Sequence, residues 1–118
     1  MVLVDTSVWV AHLRHGAIGL EAMLYEGQVV CHPWIVGELA CGNLQNRSEI
    51  IAHLQSLPGA IPAEHEEVMQ FIENYGLMGK GLGYIDMHLL ASARLTGVPL
   101  WTFDKRLNEV AKKLGLAP

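Results

Sequence analysis

Cysteine is scarce in this chain of 118 residues: there are two, Cys31 and Cys41, and no C-x-x-C pair. That excludes a disulfide-stapled secreted fold, predicts reduced thiols and fits a cytoplasmic protein. Long apolar runs are missing as well. None approaches the roughly 18–20 residues that a membrane span needs, and no basic segment leading into an apolar stretch and a cleavage site opens the sequence, so neither membrane insertion nor secretion is expected. Charge is thin, at 17% of residues, and 12 acids against 8 bases give a net charge of −4. Such a balance speaks against broad electrostatic capture of nucleic acid. Usual zinc spacing is absent too: the six histidines are scattered, and Cys31, His32 and Cys41 match no common module. The glycine-rich stretch GLMGKGLG has neither the Ser or Thr that follows the lysine of a P-loop nor the dinucleotide spacing.

At 118 residues one domain, 1–118, is expected. What is abundant is apolar: 51% of residues are hydrophobic, which predicts some apolar surface covered by a partner, most simply a second copy. Short apolar runs alternate with helical patterns. VLVD opens as a strand ending at Asp5, and helices are expected over 7–14 and 19–26. VVCH (29–32) is a second strand, followed by a helix beginning at Pro33. Residues 46–57 form the next helix, with Asn46 and Glu49 spaced as a capping box. A brief strand at 60–61 precedes an amphipathic helix over 63–75, with Val68, Phe71, Ile72 and Tyr75 on one face. The glycine loop 76–85 leads into a helix over 86–97, a strand at 99–103, a helix over 104–115 and a short final strand at 116–117. Strands apolar on both faces are buried on both, so the expectation is a three-layer α/β/α sandwich around a short parallel sheet.

Four acids sit in apolar company: Asp5 after VLV, Glu38 within PWIVGELA, Asp86 between Ile85 and Met87, and Asp104 after LWTF. Asp5, Asp86 and Asp104 each stand where a helix begins, and Asp is a favoured N-cap. In an open parallel sheet, however, the loops after the strands share one edge where ligands bind. Carboxylates converging there repel one another unless a cation offsets them, and a hard divalent ion with oxygen ligands, Mg²⁺ or Mn²⁺, suits them. Thr6, Ser7 and Thr102 add hydroxyls at the same rim.

The motifs VLVDTSVW, GELACG, YIDMHLLASA and LWTFDKRL, in this order over nearly the whole chain, resemble those of the PIN-domain nucleases, and in particular the VapC-type toxins of toxin–antitoxin pairs. The resemblance implies an acidic quartet at Asp5, Glu38, Asp86 and Asp104, with the hydroxyl after the first acid at Thr6 or Ser7. It further implies Mg²⁺- or Mn²⁺-dependent endoribonuclease activity, a homodimer, and inhibition by a small cognate antitoxin.

The residues themselves lead to the same chemistry: metal polarises a phosphodiester and acidifies a water, which attacks in line and leaves a 5′-phosphate. Asp5, Asp86 and Asp104 are the main candidate ligands, and Glu38 a ligand or an orienter of the water. Setting the four site acids aside leaves 12 − 4 = 8 acids against 8 bases, so the remaining surface is neutral. Lys80, Arg14, Arg47, Lys105 and Arg106 are candidate phosphate contacts. Trp9, Trp34 and Trp101 are read as packing residues rather than base platforms. A partner that silences the enzyme is expected to place an Arg among the carboxylates. The competing readings are a non-catalytic α/β binding module, whose acids only cap helices, and a metal-dependent phosphohydrolase or DNA nuclease. A haloacid-dehalogenase phosphatase needs an Asp where Ser7 stands, and a receiver domain needs an acidic pair after the first strand; neither fits.

Overall fold

The computed structural model describes residues 1–16 and 19–118. Among them, three parallel strands form the sheet: β1 (Val2–Val4), β2 (Val29–Val30) and β3 (Leu100–Trp101), in the order β2-β1-β3. Val2 pairs with Val29 and Leu3 with Val30 on one side of β1, while Leu3 pairs with Leu100 and Val4 with Trp101 on the other. Every side chain of β1 is buried. Alternate strand residues point to opposite faces, so both faces of the sheet are covered, which is the three-layer α/β architecture the apolar strands predict.

The helices are α1 (Thr6–His15), α2 (Leu20–Tyr25), α3 (Pro33–Ala40), α4 (Arg47–Ser56), α5 (His65–Tyr75), α6 (Tyr84–Thr96) and α7 (Lys105–Lys113). Leu3, Val4, Val8, Leu20, Ile35, Leu89, Leu90, Leu100 and Leu107 are fully buried at the centre. Each such side chain contributes on the order of 2 kcal/mol by leaving water. Helix α6 is buried without a break from Met87 to Ala93, so it runs through the interior rather than over the surface. Helix α7 shows the opposite pattern: Leu107, Val110 and Ala111 face inward, and Lys105, Arg106, Glu109 and Lys112 face out.

Because β1 is central, the chain leaves it for β2 on one side and returns to β3 on the other. That arrangement makes the carboxyl end of β1 a topological switch point, where the flanking connections diverge and open a crevice. Asp5 occupies that end, its N–H bonded to the Trp101 carbonyl at 2.9 Å.

Several local expectations need correction. Asn46 and Glu49 form no capping box: Asn46 takes a left-handed conformation (φ 53°) and its side chain caps nothing. The strand expected at 60–61 is a single parallel bridge between Cys31 and Gly59, held by Cys31 N–H to Pro58 O at 2.9 Å and Ala60 N–H to Cys31 O at 2.8 Å. Residues 116–117 form no strand: the Leu116 carbonyl accepts the Leu100 N–H, and the Leu116 N–H turns back to the Ala111 carbonyl. On α5, Val68 and Phe71 are buried but Tyr75 is exposed, because its ring stacks on Phe71 and lies under the Arg94 guanidinium instead of entering the core. Helix α6 starts two residues before Asp86, at Tyr84, so Asp86 lies inside the first turn and is not its N-cap.

A carboxylate rim as the candidate metal centre

The three aspartates of the rim behave differently as caps. Asp104 is a true N-cap: its Oδ1 accepts the Leu107 N–H of α7 at 3.1 Å. Asp86, in the first turn of α6, reaches back so that Oδ2 accepts the Gly83 N–H at 3.0 Å. Asp5 occupies the N-cap position of α1 but makes no side-chain capping bond. Instead its Oδ2 accepts two hydroxyls, Thr102 Oγ1 at 2.7 Å and Ser7 Oγ at 2.8 Å. A carboxylate that forgoes the cap beside it and is held by a hydroxyl from beyond the neighbouring strand is fixed in direction.

Thr102 ties the two ends of the chain together. Its hydroxyl donates to Asp5, accepts the Asp104 N–H at 3.0 Å and lies 3.3 Å from Ser7 Oγ, which in turn accepts the Phe103 N–H at 3.0 Å. Asp5 and Thr102 are nearly fully buried, 7% and 6% exposed, so the network is shielded from water and each of its bonds counts for more. Glu38 stands on the exposed side of α3, where Oε1 accepts the Thr6 hydroxyl at 2.8 Å. Thr6, Ser7, Asp5, Glu38, Thr102 and Asp104 are thus linked by α1 and the turn after β3.

Asp86 joins them electrostatically. Burial pushes its carboxyl pKa up, and the negative charges of Asp5 and Asp104 push it further, against the lowering effect of the Gly83 N–H. Every hydrogen bond these four carboxylates accept comes from a hydroxyl or a backbone N–H. Among the described residues no three Asp, Glu, His or Cys side chains close on one point as a finished ligand shell. Asp86 lies close enough to Asp5 and Asp104 to feel both negative charges, and Glu38 joins through Thr6. All the donors are hard oxygens, the set that Mg²⁺ or Mn²⁺ takes and that zinc or copper does not favour. The residues therefore fit a divalent cation.

The candidate phosphate contacts divide. Arg14 lines a groove of about 540 Å³ together with Thr6, Glu38, Asn43 and Gln45, so it opens onto the rim. Arg106 packs on the glycine loop; a Cβ on Gly81 would come within 2.6 Å of its guanidinium nitrogen. Lys105 follows Asp104 on the exposed start of α7, and Lys80 precedes Gly81 on the exposed loop. Arg47 is engaged elsewhere, donating from Nε and Nη2 to the Ala40 carbonyl at the end of α3.

Two features escaped the sequence reading. His32 caps α3 with an imidazole: Nδ1 accepts the Trp34 N–H at 3.0 Å and Nε2 meets Ser92 Oγ at 3.0 Å. Burial, with a smaller contribution from His88, pulls its pKa down to about 4, so the ring is neutral. No local pattern marks a His as a cap, since the usual cap is Ser, Thr, Asp or Asn. The second is Phe103, a half-exposed aromatic lodged between two rim residues.

The PIN domain model matches residues 2–113 of the chain. Over 118 residues the chain is 39% identical to the proteins named Ribonuclease VapC32 of Mycobacterium tuberculosis, strains CDC 1551 and H37Rv, an alignment spanning 99% of this chain and 95% of each relative.

Proposed function

Since this chain belongs to the PIN-domain family, we propose that it is a metal-dependent endoribonuclease, the toxin of a toxin–antitoxin pair, working at the rim formed by Asp5, Glu38, Asp86 and Asp104. The observation that supports this most is Asp5: it stands at a helix N-cap, leaves that role unused, and is held by Thr102 and Ser7 at the switch point. Asp5, Asp86 and Asp104 would hold the cation, Mg²⁺ or Mn²⁺. When bound, such a cation neutralises phosphate charge and acidifies a water.

The chain's own groups do the rest. Glu38, fixed through Oε1 by Thr6, presents its other oxygen to the attacking water and orients it along the scissile P–O bond. Attack on phosphorus breaks the bond to O3′, leaving a 5′-phosphate on one product and a 3′-hydroxyl on the other. Ser7 and Thr102 keep Asp5 and Asp104 in register. Arg14, Lys80, Lys105 and Arg106 flank the rim and contact phosphates on either side of the cut. Among the described residues no helix is long and apolar enough to cross a membrane. We place the protein in the cytoplasm, as a homodimer, with RNA as its substrate. A small antitoxin silences it by setting an Arg among the carboxylates.

The test is incubation of the purified protein with structured RNAs and with DNA, with Mg²⁺ or Mn²⁺ or with chelator, and mapping of the ends. The proposal expects metal-dependent cuts in RNA with 5′-phosphate ends. Cleavage that persists in chelator, or no cleavage of any RNA, would overturn it.

A further inference from the structure

We infer that Phe103 is a base-stacking platform, which seats an unstacked RNA base beside the scissile phosphate; the inference rests on the ribonuclease reading above and deepens it.

Phe103 is 50% exposed although phenylalanine is usually buried. Local structure does not account for this. The residue directly before an N-cap commonly packs its apolar side chain on the fourth helical residue, but that residue in α7 is Asn108, which offers no apolar partner. The backbone, by contrast, is firmly held: the Phe103 N–H donates to Ser7 Oγ at 3.0 Å, the Asp104 N–H donates to the Thr102 hydroxyl, and that hydroxyl donates to Asp5. The ring forms a T-shaped pair with Trp101, centroids 6.0 Å apart and planes at 88°, and half of the residue stays open to solvent. Lys105 and Arg106 follow within three residues, and Arg106 lies against the glycine loop.

An exposed, preorganised π-face beside a carboxylate rim, flanked by cations, is the combination that binds single-stranded nucleic acid: the ring stacks a base and the cations follow the backbone. It favours RNA whose bases are splayed out, in loops or unpaired stretches, over a continuous duplex. Stacking tolerates every base, so Phe103 contributes positioning more than sequence choice.

The experiment uses an RNA hairpin in which the parent protein's cut has been mapped. If the parent cuts no RNA with Mn²⁺, the functional reading fails and this inference falls with it, before any Phe103 variant is measured. With a cut in hand, Phe103→Ala is expected to lower kcat/KM by roughly fivefold to a hundredfold, the effect of losing one stack. Phe103→Trp restores most of it, Phe103→Leu does not, and the stabilisation by Mn²⁺ is the same in all four proteins. Abasic substitutions scanned through the hairpin loop give the decisive readout. One position should slow the parent as much as Phe103→Ala does, and should slow the Ala variant no further. The inference is overturned if Phe103→Ala cuts like the parent, if Leu serves as well as Trp, or if every abasic loss adds to the Ala loss. It is also overturned if the loss tracks a change in sedimentation, which would make the ring a contact with a second copy.

Discussion

Replacing Thr102 by valine removes one hydroxyl and keeps the shape. The structure gives the size of the effect. Thr102 Oγ1 donates at 2.7 Å to an Asp5 carboxylate that is nearly buried, and accepts the Asp104 N–H at 3.0 Å. A hydrogen bond to a charged group contributes about 1.5–3 kcal/mol, and an orphaned N–H costs about 1 kcal/mol more. The loss is therefore about 3 kcal/mol, which for a domain of this length lowers Tm by roughly 12 °C at about 4 °C per kcal/mol. Urea unfolding should show the midpoint falling with its slope unchanged, and Thr102→Ser should recover most of the loss. RNA cleavage should fall in the valine variant as well, because Asp5 is no longer held in one direction. A valine variant within about 0.5 kcal/mol of the parent would refute the claim that this network holds the rim.

Two other perturbations follow from the same geometry. In Asp86→Asn the side-chain oxygen still accepts the Gly83 N–H, so the start of α6 survives. Burial and the charges of Asp5 and Asp104 raise the Asp86 pKa, so its ionised form burdens the metal-free protein, which loses stability as pH rises through that pKa; at neutral pH and without metal the Asn variant should match or exceed the parent in Tm. At a Mn²⁺ concentration 100 times its Kd the parent should gain about 2.7 kcal/mol, and the variant much less; equal gains would exclude Asp86 as a ligand. His32, with a folded pKa of about 4 against an ordinary 6.5, contributes stability that is fully present above pH 6.5 and is lost as pH falls toward 4, up to about 3 kcal/mol. Urea midpoints measured across pH 4–7 should show this slope, and His32→Asn, which keeps a capping oxygen, should flatten it; an identical slope would remove His32 as its source.

The order of elements was legible because short apolar runs and helical periodicity carry it directly: VLV, VV and LW are the three strands, and Gly76 and Gly97 close the helices before them. The four acids stood out because each is a charge set in an apolar segment. Which of them also caps a helix was not legible. An N-cap and a rim residue occupy the same place in a sequence; only the fold shows that Asp104 caps α7 while Asp5 leaves its cap unused and accepts the hydroxyls of Ser7 and Thr102. The Asn46 capping box failed for a related reason: the motif records spacing, whereas the bond needs extended backbone at the cap, and Asn46 is left-handed. His32 and Phe103 were missed because their environments come from residues far along the chain or from the absence of an apolar partner at Asn108.

The claim that these carboxylates form one metal centre is tested most directly by anomalous diffraction from crystals grown with Mn²⁺. A manganese peak is expected at the carboxyl end of β1, ligated by oxygens of Asp5, Asp86 and Asp104, and lost in Asp5→Asn. A peak elsewhere on the protein, or none there at a Mn²⁺ concentration that supports RNA cleavage, would contradict it.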